Sequence, residues 1–324
     1  MKAIDFTEID GIQIGNAEDL NAATGCTVVI CEQGAVAGVD VRGGAPSTKE
    51  TDLLNPLNLV QKIHAVALCG GSGFGLDAAS GVMRYLEEKG VGFDVQVARV
   101  PIVCGAALFD LAIGDPLVRP DKEMGYKACL DAGSAPSRQG NAGAGAGATV
   151  GKILGMERAM KSGLGCHALQ IRDLKIGAAV AVNCLGDVID PANGIRLAGP
   201  LDDDGGKPGS TEEIMTASYA DKKNLNLFSG NTTIGVVVTN AALTKSEASK
   251  IASMAQNGYA TTIRPAHSMY DGDTVFAMST GCVAADLTTV GFLAARVVER
   301  AVISAVKKAA PLCGLSSYSD LMGS

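Results

Sequence analysis

Apolar positions along this chain fall into short β-branched runs, each closed by glycine or a polar turn, and into a few longer stretches of helical period. Cys26 to Cys31 and Ala35 to Val41 are two such runs, and Glu32-Gln33-Gly34 between them predicts a hairpin. Arg42-Gly43-Gly44-Ala45-Pro46 then breaks the pattern as a loop. His64 to Cys69 is a further strand that runs into Gly70-Gly71-Ser72-Gly73-Phe74-Gly75. After it, Leu76, Ala79, Val82, Met83 and Leu86 recur at helical spacing and predict a helix to about Lys89, stopped by Gly90. Gly177 to Cys184 is a small-residue strand with Asn183 near its end, and residues 185–191 continue as turn and strand. Thr244-Lys245-Ser246-Glu247 is a capping box opening a helix to about Gly258, with Ala248, Ile251, Ala252 and Met254 or Ala255 as its core stripe. Val275 to Met278 is a strand. A last helix, Leu287 to Lys308, turns Phe292, Val297, Val298, Ala301 and Val302 toward a core. Lys307 and Lys308 favour its dipole, and Pro311 stops it.

Residues 192–230 differ from all of these. They are polar, lack a hydrophobic period, and read as a flexible linker, with 202–210 a loop or disordered segment. The linker runs into Ile234 to Val238, which is apolar and β-branched apart from Gly235, as suits a strand covered on both faces. A flexible segment meeting a rigid strand is a good place for a chain to be cut, and Asn231-Thr232 is the junction this pattern selects. After a cut there, Thr232 holds a free α-amine and a hydroxyl on one residue, a nucleophile with its own base. The amine's ordinary pKa of about 8 leaves a useful fraction neutral at pH 7, able to take the hydroxyl proton.

Composition narrows the class. The 324 residues are 47% hydrophobic, enough for one large domain or two. Net charge is -7 with no basic block, which argues against nucleic acid as a partner. The nine cysteines form no C-x-x-C pair and sit mostly in apolar runs, which predicts buried free thiols in a reducing compartment. With no apolar leader and no run of membrane-spanning length, the expectation is a cytoplasmic protein that does not engage membrane. His64, His167 and His267 are scattered without metal-ligand spacing, and no G-x-S-x-G elbow occurs.

Two glycine-rich stretches invite a cofactor reading and decline it. Residues 70–75 do not have G-x-G-x-x-G spacing, so tight backbone packing is the better account. Residues 141–152 look like a phosphate loop, but Ala146 replaces the first glycine and Ile153 follows Lys152 where a hydroxyl residue should hold magnesium. No cofactor and no metal are expected. Lys152 then either extends to solvent or is buried with a partner. Asn183 is either a turn residue or an oxyanion donor, and Asp271-Gly272-Asp273 is either a turn or a carboxylate pair that orients an amine. Spacing alone does not bring these groups together.

Five segments together resemble the L-aminopeptidase/D-esterase family of self-processing hydrolases, which includes β-aminopeptidases and nylon-oligomer endoamidases. They are residues 37–46, residues 70–79, Asn183 on its strand, Asn231-Thr232-Thr233-Ile234-Gly235, and residues 271–277. The resemblance covers roughly residues 10 to 308. It implies a four-layer αββα sandwich and a single catalytic domain cut into residues 1–231 and 232–324, which stay associated. It also implies Thr232 as nucleophile, Asp271 and Asp273 positioning its amine, Lys152 supporting them, and Asn183 at the oxyanion. A Thr nucleophile with Asp-Gly-Asp is closer to the endoamidase branch than to the aminopeptidases. Phe109 stands where the family carries a tyrosine, which removes or replaces one oxyanion donor. The implied substrates are small peptides, amides or oligoamides, and the implied assembly is a homo-tetramer of the processed heterodimers. An acyltransferase of ornithine-acetyltransferase type and an unprocessed ligand-binding homologue are the alternatives.

Overall fold

The computed structural model describes residues 1–133, 136–221 and 230–322. One long strand joins its two large sheets. β1 (Gln13–Asp19) pairs antiparallel with the first part of β2 (Thr24–Val41). That part also pairs with β3 (Ile63–Cys69), which lies parallel to β4 (Val103–Ala107). The second part of β2 belongs to the other sheet. There β5 (Leu164–Ile171), β6 (Leu174–Ala181), β7 (Ile234–Ala241) and β8 (Thr274–Val283) follow one another, and β8 pairs with Val36–Val41 of β2. Neighbours in this sheet are antiparallel except β7 and β8, which are parallel.

The hairpin expected at Glu32-Gln33-Gly34 is therefore not formed. Ile30 pairs with Ala65 and Ala35 with Ile63, so the extra residues bulge out of one continuous strand, with Gly34 at φ +76°. The two flanks do not pair with each other because each finds a different buried partner strand.

Helices cover both outer faces. α1 (Ala78–Glu88) and α2 (Lys122–Asp131) pack Ala78, Val82, Leu86 and Cys129 against Val28, Ile30, Ala65 and Ala67. α3 (Thr211–Ala220) is a short peripheral helix. α4 (Lys245–Thr262) and α5 (Leu287–Lys308) set Ile251, Ala255, Tyr259, Val297 and Val302 on Ala178, Val180, Val237 and Ala277. Between the sheets lie Val29, Ala37, Val66, Leu68, Ala179, Val236, Val238 and Phe276. The order is helix, sheet, sheet, helix, the four-layer αββα sandwich. β7 shows the two-faced burial directly: Ile234, Val236 and Val238 face the other sheet, and Val237 and Ala241 face the helices. Each of these fully buried Ile and Val side chains contributes about 1.5–3 kcal/mol.

Three further expectations need correction. The helix opened by the Thr244/Glu247 capping box passes through Gly258 and ends at Thr262. Gly258 marks a close crossing, since a Cβ there would lie 2.6 Å from the Ala295 carbonyl on α5. Phe292 on α5 is 56% exposed, on the opposite side from Val297, Val298, Ala301 and Val302. The 192–230 stretch carries regular structure: Ile195–Ala198 pairs with Asp187–Asp190, and α3 is capped by Ser210 and tied to Asp187 through the Thr211 N–H and hydroxyl. Buried Asp187 supplies the anchor that hydrophobic periodicity could not show. Residues 222–229 of that stretch lie outside the described residues. Seven cysteines are buried free thiols, while Cys282 and Cys313 are exposed.

Candidate active site

The parallel register of β7 and β8 builds the site. Ile234 pairs with Thr274, and three residues upstream on both segments Asn231 bridges Asp271 with the same offset. Asn231-Thr232-Thr233 therefore runs beside Asp271-Gly272-Asp273, and Thr274 N–H donates to the Thr233 carbonyl at 3.0 Å. On the other side, β6 is antiparallel to β7 with Ala181 opposite Ile234. The ladder extends past the end of β6, where Thr232 N–H donates to the Asn183 carbonyl at 2.9 Å. Thr232 is 5% exposed.

The peptide bond before Thr232 is held at its carbonyl. Gly272 N–H donates to the Asn231 carbonyl oxygen at 2.9 Å, and the Thr232 hydroxyl donates to that same oxygen. One residue upstream, the Gly230 carbonyl accepts from Lys152 Nζ at 3.1 Å and from Asn183 Nδ2 at 3.3 Å. Asn183 is fully buried. Its Oδ1 accepts from Lys152 Nζ at 2.8 Å and Thr149 N–H at 3.0 Å, and its Nδ2 also donates to the Phe109 carbonyl at 2.9 Å.

Lys152 is partly buried as a residue, yet among the described residues its ammonium donates to neutral oxygens: the Asn183 carbonyl, Asn183 Oδ1 and the Gly230 carbonyl. Loss of water lowers its pKa to about 8, against the opposing pull of Cys184, Asp271 and Asp110. The solvent-reaching alternative for Lys152 thus does not hold: its ammonium turns inward. Gly151 makes this possible, since it takes φ +72° just before the short 3-10 turn Lys152–Leu154.

The two aspartates lie behind the threonine backbone. Asp273 Oδ1 accepts from Thr233 N–H at 2.9 Å, and its Oδ2 accepts from His267 N–H at 3.0 Å and meets His267 Nδ1 at 2.9 Å. Asp271 accepts from Leu185 N–H at 3.2 Å and from the Ser268 N–H and hydroxyl. Burial, then the neighbouring Asp273 charge, raises the Asp271 pKa to about 6.

Thr232, Asn183, Lys152, Asp271 and Asp273 are thus brought together in one buried cluster. The hydrogen bonds of both aspartates go to neighbouring backbone and side chains rather than to the Thr232 side chain. The Asn183 amide reaches the carbonyl of residue 230 rather than that of 231. A cavity of about 310 Å³ is lined by Phe109, Ile113, Met156, Lys152, Gly230 and Asn231. Sequence reading missed His267, Ser268 and the Gly272 N–H. The histidine and serine sit within six residues of the Asp-Gly-Asp motif, and that proximity was the available signal. A second buried lysine, Lys161, also went unread. It donates to the carbonyls of Gly145, Ala148 and Ser162 and so fixes the glycine-rich stretch 141–152.

The sequence matches peptidase family S58 over residues 5–318. The chain belongs to this family. An uncharacterised aminopeptidase of Mycobacterium leprae is 41% identical, covering 97% of this chain and 92% of that protein. The 6-aminohexanoate-oligomer endohydrolase of a Kocuria species is 30% identical over 93% of this chain and 85% of its own length. Among solved structures, the L-aminopeptidase D-Ala-esterase/amidase of Ochrobactrum anthropi, described as a variant of the Ntn-hydrolase fold, superposes with a TM-score of 0.68. The match is 18% identical and covers 94% of this chain and 86% of that one. A Burkholderia β-aminopeptidase gives a TM-score of 0.69 at 15% identity over 98% of this chain and 92% of that one. These structural likenesses carry the fold. Membership of S58 makes the chain a hydrolase of peptide or amide bonds. No helix among the described residues is long and apolar enough to cross a membrane.

Proposed function

We propose that this S58 peptidase cuts its own chain between Asn231 and Thr232 and then hydrolyses amide bonds with Thr232 as an amino-terminal nucleophile. The observation that carries the reading is the pair of donors, the Thr232 hydroxyl and the Gly272 N–H, on the carbonyl oxygen of the Asn231–Thr232 bond. In the first step Thr232 Oγ1 attacks the Asn231 carbonyl carbon, and the negative charge develops on the oxygen that Gly272 N–H already contacts. The C–N bond breaks, the hydroxyl proton ends on the Thr232 nitrogen, and an ester remains. Water hydrolyses it, leaving the Asn231 carboxylate and a Thr232 α-amine.

In later turnovers that amine takes the hydroxyl proton as Oγ1 attacks a substrate amide and returns it to the leaving amine. Asp271 and Asp273 hold the backbone on either side, and Lys152 supplies positive charge. The two fragments have reason to stay together. β7 and β8 of the small fragment lie between β6 and β2 of the large one, so separation would break two ladders in the middle of a sheet. Assembly into a tetramer of such heterodimers in the cytoplasm fits the same reading.

The test is a denaturing gel with amino-terminal sequencing. Two bands are expected, the smaller starting at Thr232, and Thr232→Ala should stay whole and inactive. A single intact band in protein that hydrolyses amides would overturn the proposal.

A further inference from the structure

Attack of Thr232 on its own peptide bond gives an ester in which Asn231 is carried on the threonine oxygen, with Gly230 one residue upstream. Chemically that ester is an acyl-enzyme, the same species each later turnover must pass through. The groups that hold residues 230 and 231 in the uncut chain are then the groups that meet the acyl side of a substrate. At residue 230 they are donors: Lys152 Nζ at 3.1 Å and Asn183 Nδ2 at 3.3 Å, both on the Gly230 carbonyl.

We propose that Lys152 and Asn183 form a clamp for a carbonyl one residue upstream of the scissile amide, so that the enzyme cleaves within acylated chains rather than next to a free amino terminus. This rests on Thr232 being the nucleophile. A substrate whose scissile carbonyl belongs to its first residue carries an ammonium where the Gly230–Asn231 amide now sits. It offers Lys152 no acceptor and sets a second cation beside it. Among the described residues, no carboxylate on the cavity wall is open to receive that ammonium. Asp110, the acidic residue there, is 4% exposed, and its oxygens are taken by Gly71 N–H at 2.6 Å and the Thr24 hydroxyl at 2.8 Å. Asp271 is engaged by Leu185 and Ser268. The remaining walls, Phe109, Ala112, Ile113 and Met156, suit an uncharged aliphatic acyl chain.

Three p-nitroanilides of one size class test this on the processed enzyme at pH 7: N-acetyl-alanine, propionyl and free alanine. The acetylated substrate has the upstream carbonyl, the propionyl one has neither carbonyl nor charge, and alanine has the ammonium. The expected order of kcat/KM is acetyl-alanine, propionyl, alanine, with roughly tenfold or more between first and last, as for a hydrogen bond to a charged donor. Equal or faster turnover of the alanine substrate overturns the clamp. Lys152→Met should bring the acetyl-alanine to propionyl ratio close to one, and an unchanged ratio in a processed variant also overturns it. If that variant does not process, the wild-type order alone decides. Turnover that survives in Thr232→Ala would instead sink the nucleophile assignment, a result distinct from a reversed order.

Discussion

Gly272 stands opposite Thr232, and adding one methyl group there tests the proposed processing geometry. Its φ is outside the left-handed region, so alanine brings no backbone strain of that kind. The obstacle is space. A Cβ would lie 2.8 Å from Thr232 Oγ1, 3.1 Å from Thr232 Cγ2 and 2.7 Å from the Ala45 carbonyl. Ordinary contact begins near 3.4 Å, so the hydroxyl must retreat by about 0.6 Å (3.4 minus 2.8). The loop on the other side cannot yield instead, because Ala45 N–H is itself bonded to the Asp271 carbonyl at 2.9 Å. Overpacking of this kind costs about 1–3 kcal/mol of stability, a fall of a few degrees in Tm. The rate should suffer more, because a reacting atom misplaced by about 1 Å loses on the order of 100-fold. Gly272→Ala precursor made by cell-free synthesis and followed by intact mass should therefore persist about 100-fold longer than wild type, while its melting curve stays cooperative. Gly206→Ala, where a Cβ meets nothing within 4 Å, is the control and should process normally. A folded Gly272→Ala protein that cuts itself at the wild-type rate would refute the placement of Thr232 Oγ1 against the Asn231 carbonyl.

The other predictions concern the groups around this centre. Lys161→Met leaves the carbonyls of Gly145, Ala148 and Ser162 without their ammonium donor and should cost about 3 kcal/mol or more in urea unfolding at pH 7. Burial lowers the Lys161 pKa from 10.5 to about 7, so between those values the unfolded chain binds the extra proton and stability rises with pH. That rise, up to about 1.4 kcal/mol per pH unit from this residue, should be missing in Lys161→Met. His267→Ala removes the imidazole from Asp273 and should lower kcat roughly tenfold with little change in KM, while His267→Asn, which can still donate near the Nδ1 position, should recover part of the loss. Phe109→Tyr puts a hydroxyl on the cavity wall and should raise kcat/KM on amides several-fold if the site lacks one oxyanion donor; an unchanged value would show that Gly272 N–H and its neighbours suffice.

How far the site was readable depends on which physical signal each part leaves in the sequence. Burial periodicity leaves a strong one, so β3, β7, α1 and α5 lie close to their expected bounds. The capping box at Thr244 and Glu247 is present with both reciprocal bonds. Pairing partners leave almost none. The Glu32-Gln33-Gly34 turn signal was real as chemistry, since Gly34 does take a left-handed φ. Whether such a residue closes a hairpin or bulges a strand is decided by what lies beside each flank. Ligands for buried polar groups leave little more: Lys161 bonds to backbone carbonyls, which carry no side-chain identity, and Asp187 bonds to Thr211 and Arg196, which no periodicity links to it.

One adjacency was nonetheless implicit in the order of elements. A strand at 234–241, a helix at 245–262 and a strand at 274–283 form a β-α-β unit, and two strands so connected within one sheet lie parallel. Parallel strands present their amino-terminal ends on the same edge, so whatever precedes β7 must lie near whatever precedes β8. What precedes them is Asn-Thr-Thr in one case and Asp-Gly-Asp in the other. Adjacency alone leaves open which residue faces which, and a shift of one position would set an aspartate beside Thr232 in place of Gly272. The register is fixed by packing rather than by the loop. Val236 and Phe276 must both reach the space between the sheets, and Val237 and Ala277 must both turn to α4 and α5. A one-residue slip would invert one strand's faces and expose its apolar side chains to the wrong layer. The core thereby aligns glycine with the threonine, and that glycine is the residue whose bare N–H and missing side chain let Thr232 approach its own carbonyl.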